Sequence, residues 1–112
     1  MKLIASEREI QKSIFDYLSL VGINAWRTNS GINFSSYKEK QYIVRLAPRG
    51  TPDIIGFLND GKFLGIEVKK PGGIVSDDQT IFLDKINKAG GVGFVAYSVD
   101  DVIKTFKKLK CG

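Results

Sequence analysis

The sequence predicts an α/β fold: a sheet built around a hairpin and flanked by helices, an α/β or α+β sandwich. Three observations carry this. Segments with apolar residues at three- and four-residue spacing alternate with short runs rich in β-branched and aromatic residues. Asn59-Asp60-Gly61 separates two such runs, and Asp-Gly is a strong hairpin signal. The chain then closes on a helix, a strand and a helix. At 112 residues the length fits one domain spanning 1–112.

Ser6 begins the first helix. Ser6-Glu7-Arg8-Glu9 is a capping box, in which the Ser6 hydroxyl and the Glu9 side chain satisfy each other's backbone donors. Ile10, Ile14, Tyr17, Leu18 and Val21 then mark one helical face, and Gly22 ends it. Ile23 to Thr28 reads as a strand carrying Trp26. Asn29 to Gln41 is polar, with Gly31 and three serines, and reads as a loop. Gln41 to Ala47 reads as a strand pairing with the first, broken by Pro48-Arg49-Gly50. Thr51 to Leu58 and Lys62 to Lys70 are the two central strands. Pro52 lacks an N–H and suits the start of a strand. Pro71-Gly72-Gly73 breaks the second.

Ser76 caps a second helix, with Asp77 and Asp78 in its first turn and Ile81, Phe82, Ile86 and Ala89 on its apolar face. Gly90-Gly91 stops it. Val92 to Ser98 reads as a buried strand. Asp100 to Lys110 is an amphipathic helix with Val102, Ile103, Phe106 and Leu109 inside. Its four outward lysines read as a solvated face or a DNA-facing one. The expected order is α-β-β-β-β-α-β-α.

The absence of histidine excludes histidine general bases, Ser-His-Asp triads and His-ligated zinc. The single cysteine, Cys111, rules out an internal disulfide and fits a reducing cytosol. No apolar run is long enough to span a membrane, and the start carries no secretory pattern. A net charge of +5 fits a soluble surface or a polyanion partner. No glycine-rich phosphate loop follows the first strand, which argues against a small-molecule α/β enzyme.

Charge on the central hairpin is sparse and placed. Asp53 opens one strand; Glu67 and Lys69 end the other. Unpaired charges on strands this apolar are costly to bury. Glu67 and Lys69 share a sheet face, while Val68 points into the core. Hard divalent cations take carboxylate and carbonyl oxygens. Asp53, Glu67 and the Val68 carbonyl could hold one across strands about 4.8 Å apart. Such an ion lowers the pKa of a water it binds, and Lys69 could orient that water or offset phosphate charge. A plainer account remains open: a buried Glu67–Lys69 ion pair with Asp53 stabilising a turn. In the first helix, Glu7 shares the face of Ile10 and Ile14, whereas Glu9 is committed to the cap. Glu7 is therefore the better candidate for the interior, unless it only complements the helix dipole.

Pro52-Asp53 followed by Glu67-Val68-Lys69 resembles the PD-(D/E)xK pattern of restriction-endonuclease-like nucleases. More narrowly, the chain resembles the minimal, stand-alone phage and bacterial members of the VRR-NUC family. Ser6-Glu7, Trp26-Arg27 with Asn29, Gly50-Thr51-Pro52-Asp53, Ile66-Glu67-Val68-Lys69 and Gln79 carry that resemblance. It implies a restriction-endonuclease-like core with a mixed central sheet. It also implies Glu7, Asp53, Glu67 and the Val68 carbonyl as ligands to Mg²⁺ or Mn²⁺, Lys69 as catalytic lysine, and Gln79 near the site. Gln79 also reads as the last residue of a Ser76 capping box. Arg27, Asn29, Arg45, Arg49 and Lys70 are candidate phosphate contacts, or surface charges. The activity implied is metal-dependent DNA endonuclease on branched, Holliday-junction-like DNA, by a cytoplasmic homodimer with no organic cofactor and no membrane association. A flap or nicking nuclease, or a non-catalytic nucleic-acid-binding module, are the alternatives.

Overall fold

The computed structural model describes residues 5–28, 32–37, 40–45 and 47–111. Two serines start helices there by the same local chemistry. The Ser6 hydroxyl accepts from the Glu9 N–H at 3.2 Å, and Glu9 Oε1 accepts from the Ser6 N–H at 3.2 Å. Ser76 and Gln79 repeat the pair at 3.2 and 2.8 Å. Each box satisfies two donors that a helix start leaves orphaned. Helix α1 runs Glu7–Leu20, α2 Asp77–Lys88 and α3 Val99–Cys111. Past α1, Gly22 takes a left-handed φ of +78°, and the Ile23 N–H donates to the Leu18 carbonyl at 2.9 Å.

The strands are β1 (Asn24–Arg27), β2 (Ile32–Tyr37), β3 (Lys40–Arg45), β4 (Ile54–Phe57), β5 (Phe63–Val68) and β6 (Val92–Ala96). Four of them form a sheet in the order β1-β4-β5-β6. β1, β4 and β5 are antiparallel neighbours, and β6 lies parallel to β5, so the sheet is mixed. The β4–β5 turn is set by Gly61 at φ +89°. The Leu58 N–H donates to the Lys62 carbonyl at 2.9 Å, and Asp60 Oδ1 accepts from the Lys62 N–H at 3.1 Å.

The two faces of the sheet are covered differently. Leu64, Ile66 and Val68 are fully buried against Ile10, Ile14 and Leu18 of α1 and Val102 and Phe106 of α3. Burying side chains of this size contributes roughly 2 kcal/mol each. On the opposite face α2 approaches across glycines. A Cβ at Gly65 would stand 2.6 Å from Ile86 Cδ1, and one at Gly93 would stand 3.2 Å from Ile86 Cβ. This close seating brings the start of α2 to the end of β5.

Several sequence expectations are corrected. Residues 32–37, read as loop, form β2, whose alternating Ile32 and Phe34 suit a strand. The next strand, β3, pairs with β2 and not with the first strand; Tyr37 opposite Lys40 makes this a local hairpin. Five strands therefore precede α2, not four. On α2 the buried residues are Leu83 and Ile86, while Ile81 is 52% exposed, because the helix rests on the glycine track and not on the wider face expected. On α3, Leu109 lies largely outside the core. No helix among the described residues is long and apolar enough to cross a membrane.

Candidate active site

Asp53 stands where β4 begins. Ile54 pairs with Ile66, so one further step along the register sets Asp53 opposite Glu67, on the sheet face that α2 covers. Asp53 is held from both sides. Its carbonyl accepts from the Thr28 N–H at 3.0 Å, and its Oδ2 accepts from the Val68 N–H at 3.0 Å. The Thr28 hydroxyl donates to the Pro52 carbonyl at 2.8 Å, fixing the turn into β4. Thr28 thus ties the end of β1 to the Pro52-Asp53 turn across 24 positions, a separation that leaves no local signal in the sequence.

Pro52 is buried and has a chemical consequence. The second step past Ile54 sets it opposite Val68. Proline has no N–H, so this partner offers nothing to the Val68 carbonyl. The Lys69 N–H meanwhile donates to the Ala96 carbonyl of β6 at 3.1 Å.

Glu67 is 2% exposed, and its Oε2 has no hydrogen-bond partner. Its Oε1 accepts from Gln79 Nε2 at 3.0 Å. Burial pushes the Glu67 carboxyl from the ordinary 4.5 up to about 9, reinforced by the neighbouring Asp53 carboxylate and by the charge of Glu7. The Lys69 ammonium acts in the opposite sense. Without a cation, a proton is therefore retained on this carboxyl at neutral pH.

Glu7 is partly buried and its charge reaches Glu67, whereas Glu9 is exposed and occupied by Ser6. Among the described residues, no group of three acidic side chains is gathered closely enough to hold a metal ion. The residues brought together are Asp53, Glu67, Lys69 and Gln79. Lys69 is half-buried, with its stem running past Gly73, where a Cβ would stand 3.3 Å from Lys69 Cβ. Lys70 is exposed and, with Glu7, lines an open cavity of about 540 Å³. Arg49 is exposed on a turn docked against the start of α2. Arg27 is exposed at the end of β1, opposite Ile54. Arg45 ends β3, and Asn29 lies outside the described residues.

Comparison with protein-family models gives one match, to the VRR-NUC domain, over residues 28–100. That span covers about two thirds of the 112 residues and includes Asp53, Glu67, Lys69 and Gln79. The chain belongs to the VRR-NUC family. A search of curated proteins and a search of solved structures each returned no match. The VRR-NUC domain is a nuclease-type domain, with DNA as its substrate class, and such domains generally use divalent metals. Glu7 and Trp26 fall outside the matched span.

The donor set fits a hard divalent cation. Two carboxylates meet across the sheet, one carries an orphaned buried oxygen, and the adjacent Val68 carbonyl faces a proline. A buried carboxyl oxygen without a partner is costly unless something compensates it.

Proposed function

We propose that this VRR-NUC domain is a divalent-metal-dependent endonuclease that hydrolyses DNA phosphodiester bonds. The observation that carries the reading is the buried Glu67 carboxyl, with Oε2 unpartnered beside Asp53. Asp53, Glu67 and the Val68 carbonyl would hold Mg²⁺ or Mn²⁺, with Glu7 contributing from α1. A bound ion of this kind supplies an activated water and charge stabilisation at the phosphate.

The chain's own residues set up the rest. The Val68 N–H fixes one oxygen of Asp53, and Gln79 fixes one oxygen of Glu67; each carboxylate keeps its other oxygen for the ion. Lys69, on the same face as Glu67, offsets charge on the phosphate and orients the attacking water. Arg27, Asn29, Arg45, Arg49 and Lys70 would contact neighbouring phosphates. Non-catalytic binding is the weaker reading, because a pure binder gains nothing from carboxylates set beside phosphate.

We further infer that the enzyme acts in the cytoplasm as a homodimer on branched DNA. Two copies about a two-fold axis would make the paired cuts that a four-way junction requires. Labelled junction, flap, duplex and single-stranded DNA should be offered with Mg²⁺, alongside light scattering of the DNA-bound protein. Preferential paired cutting of the junction by a dimer is expected. A monomer on DNA, or equal cutting of all substrates, would overturn the dimeric junction reading.

A further inference from the structure

Among the described residues, one face of the sheet is only half covered. α2 overlies β5 and β6, yet Trp26 is 50% exposed, Phe57 45% and Phe63 44%. The register puts all three on the face of Asp53 and Glu67: Trp26 is opposite Ile55, and Phe57 is opposite Phe63. Trp26 and Phe57 meet edge to face, with centroids 6.5 Å apart and planes at 66°. Each ring is thus steadied by the other while about half its surface stays open.

The patch has cations at both ends. Lys69 and Lys70 lie at the candidate active site. Beyond Phe63, a cavity of about 580 Å³ is lined by Lys85 and by Lys62, which is ion-paired with Asp60 at 3.5 Å. Lys85 takes part in none of the ion pairs among the described residues. From Asp53 to Phe57 the strand advances about 13 Å, roughly three or four nucleotide steps at duplex spacing. A second copy of this chain, itself carrying +5, would bring the same lysines against one another. A polyanion with stackable bases complements both the rings and the charge.

We propose that this face is a track for an unpaired DNA strand, whose bases stack on Trp26 and Phe57 while Lys85 meets its backbone. The proposal rests on the nuclease reading and adds a substrate class: DNA with a single-stranded segment beside the cut. Stacking on aromatic side chains is tolerant of sequence, which suits a structure-selective enzyme.

Trp26 is the only tryptophan, so intrinsic fluorescence reports on it alone. In EDTA, the protein is titrated with oligothymidylate, with a duplex bearing a single-stranded tail, and with a blunt duplex. Saturable quenching by the first two, and little by the third, is expected. Trp26→Ala and Phe57→Ala, with circular dichroism confirming the fold, should each weaken oligothymidylate binding about tenfold by anisotropy. Oligothymidylate binding without quenching would overturn the proposal. So would equal quenching by blunt duplex, or an emission change that follows protein concentration without DNA, the sign of a second copy on this face. Cleavage of the same DNAs with Mg²⁺ is scored separately. Quenching without cleavage keeps the track and removes the nuclease reading; cleavage without quenching does the reverse.

Discussion

Gln79 holds Glu67. Its Nε2 donates to Glu67 Oε1 at 3.0 Å, while its own Oε1 accepts from the Ser76 N–H at 2.8 Å. A backbone N–H can only donate, so Ser76 fixes which end of the amide faces the carboxyl. One side chain both starts α2 and aims a site carboxylate.

The two roles can be separated. Gln79→Glu keeps an acceptor for Ser76 but loses the donor to Glu67. The α2 cap should survive, so helix content by circular dichroism should stay near wild type, while cleavage falls at least tenfold, on the scale of other positioning contacts at metal sites. Gln79→Ala should lose cleavage and, in addition, about 1 kcal/mol of stability. Equal cleavage by Gln79→Glu and wild type would show that the contact with Glu67 is idle.

Stability of the metal-free protein should depend on pH through Glu67. The folded carboxyl titrates near 9 against an ordinary 4.5, so the folded state holds the extra proton between those values. The contribution is complete below about 4.5 and is lost as pH rises through 9. Relative to Glu67→Gln, which is neutral throughout, wild type should melt progressively lower as pH is raised across this window. Excess Mg²⁺ should restore wild type and leave the variant unchanged. Scanning calorimetry of both proteins in EDTA and in Mg²⁺ checks the sign; a gap independent of pH would contradict it.

Gly50 ties the Pro52-Asp53 turn to α2. Its φ is +80°, and a Cβ there would run into the Asp78 carbonyl and stand 2.9 Å from the Gln79 backbone nitrogen. Gly50→Ala therefore combines backbone strain with a clash at the helix start. A loss of about 1–3 kcal/mol in denaturant unfolding is expected, together with weaker cleavage as Gln79 is displaced. Wild-type stability would show that the turn and α2 move apart freely.

Local chemistry was legible in the sequence; approach between distant segments was not. Both capping boxes and the Asn59-Asp60-Gly61 turn depend on residues within a few positions of one another, and they formed as read. The meeting of Asp53 and Glu67 followed from the hairpin register. Strand β2 was missed because serines and asparagine dilute its alternation. Ile81 was misplaced because the seating of α2 is set by Gly65 and Gly93, glycines that carry no periodic signal. The reach of Gln79 to Glu67 depends on that same seating, so spacing alone left it open.

Asp53 separates charge from hydrogen bonding. Asp53→Asn keeps an oxygen for the Val68 N–H, whereas Asp53→Ala leaves that donor without it. Thermal unfolding in EDTA should place Asp53→Ala about 1 kcal/mol below Asp53→Asn. Both should lose the stabilisation that Mg²⁺ confers. Retention of that stabilisation by Asp53→Asn would place the ion elsewhere.

The most direct measurement is single-turnover cleavage of labelled branched DNA by wild type, Asp53→Asn and Glu67→Gln, in Mg²⁺ and in EDTA, with DNA binding followed in parallel. Wild type should cut in Mg²⁺ only. Both variants should bind DNA at least as well as wild type, since each removes a negative charge beside phosphate, yet leave it intact. Cutting by wild type in EDTA, or by either variant at the wild-type rate, would contradict a metal-dependent nuclease centred on Asp53 and Glu67.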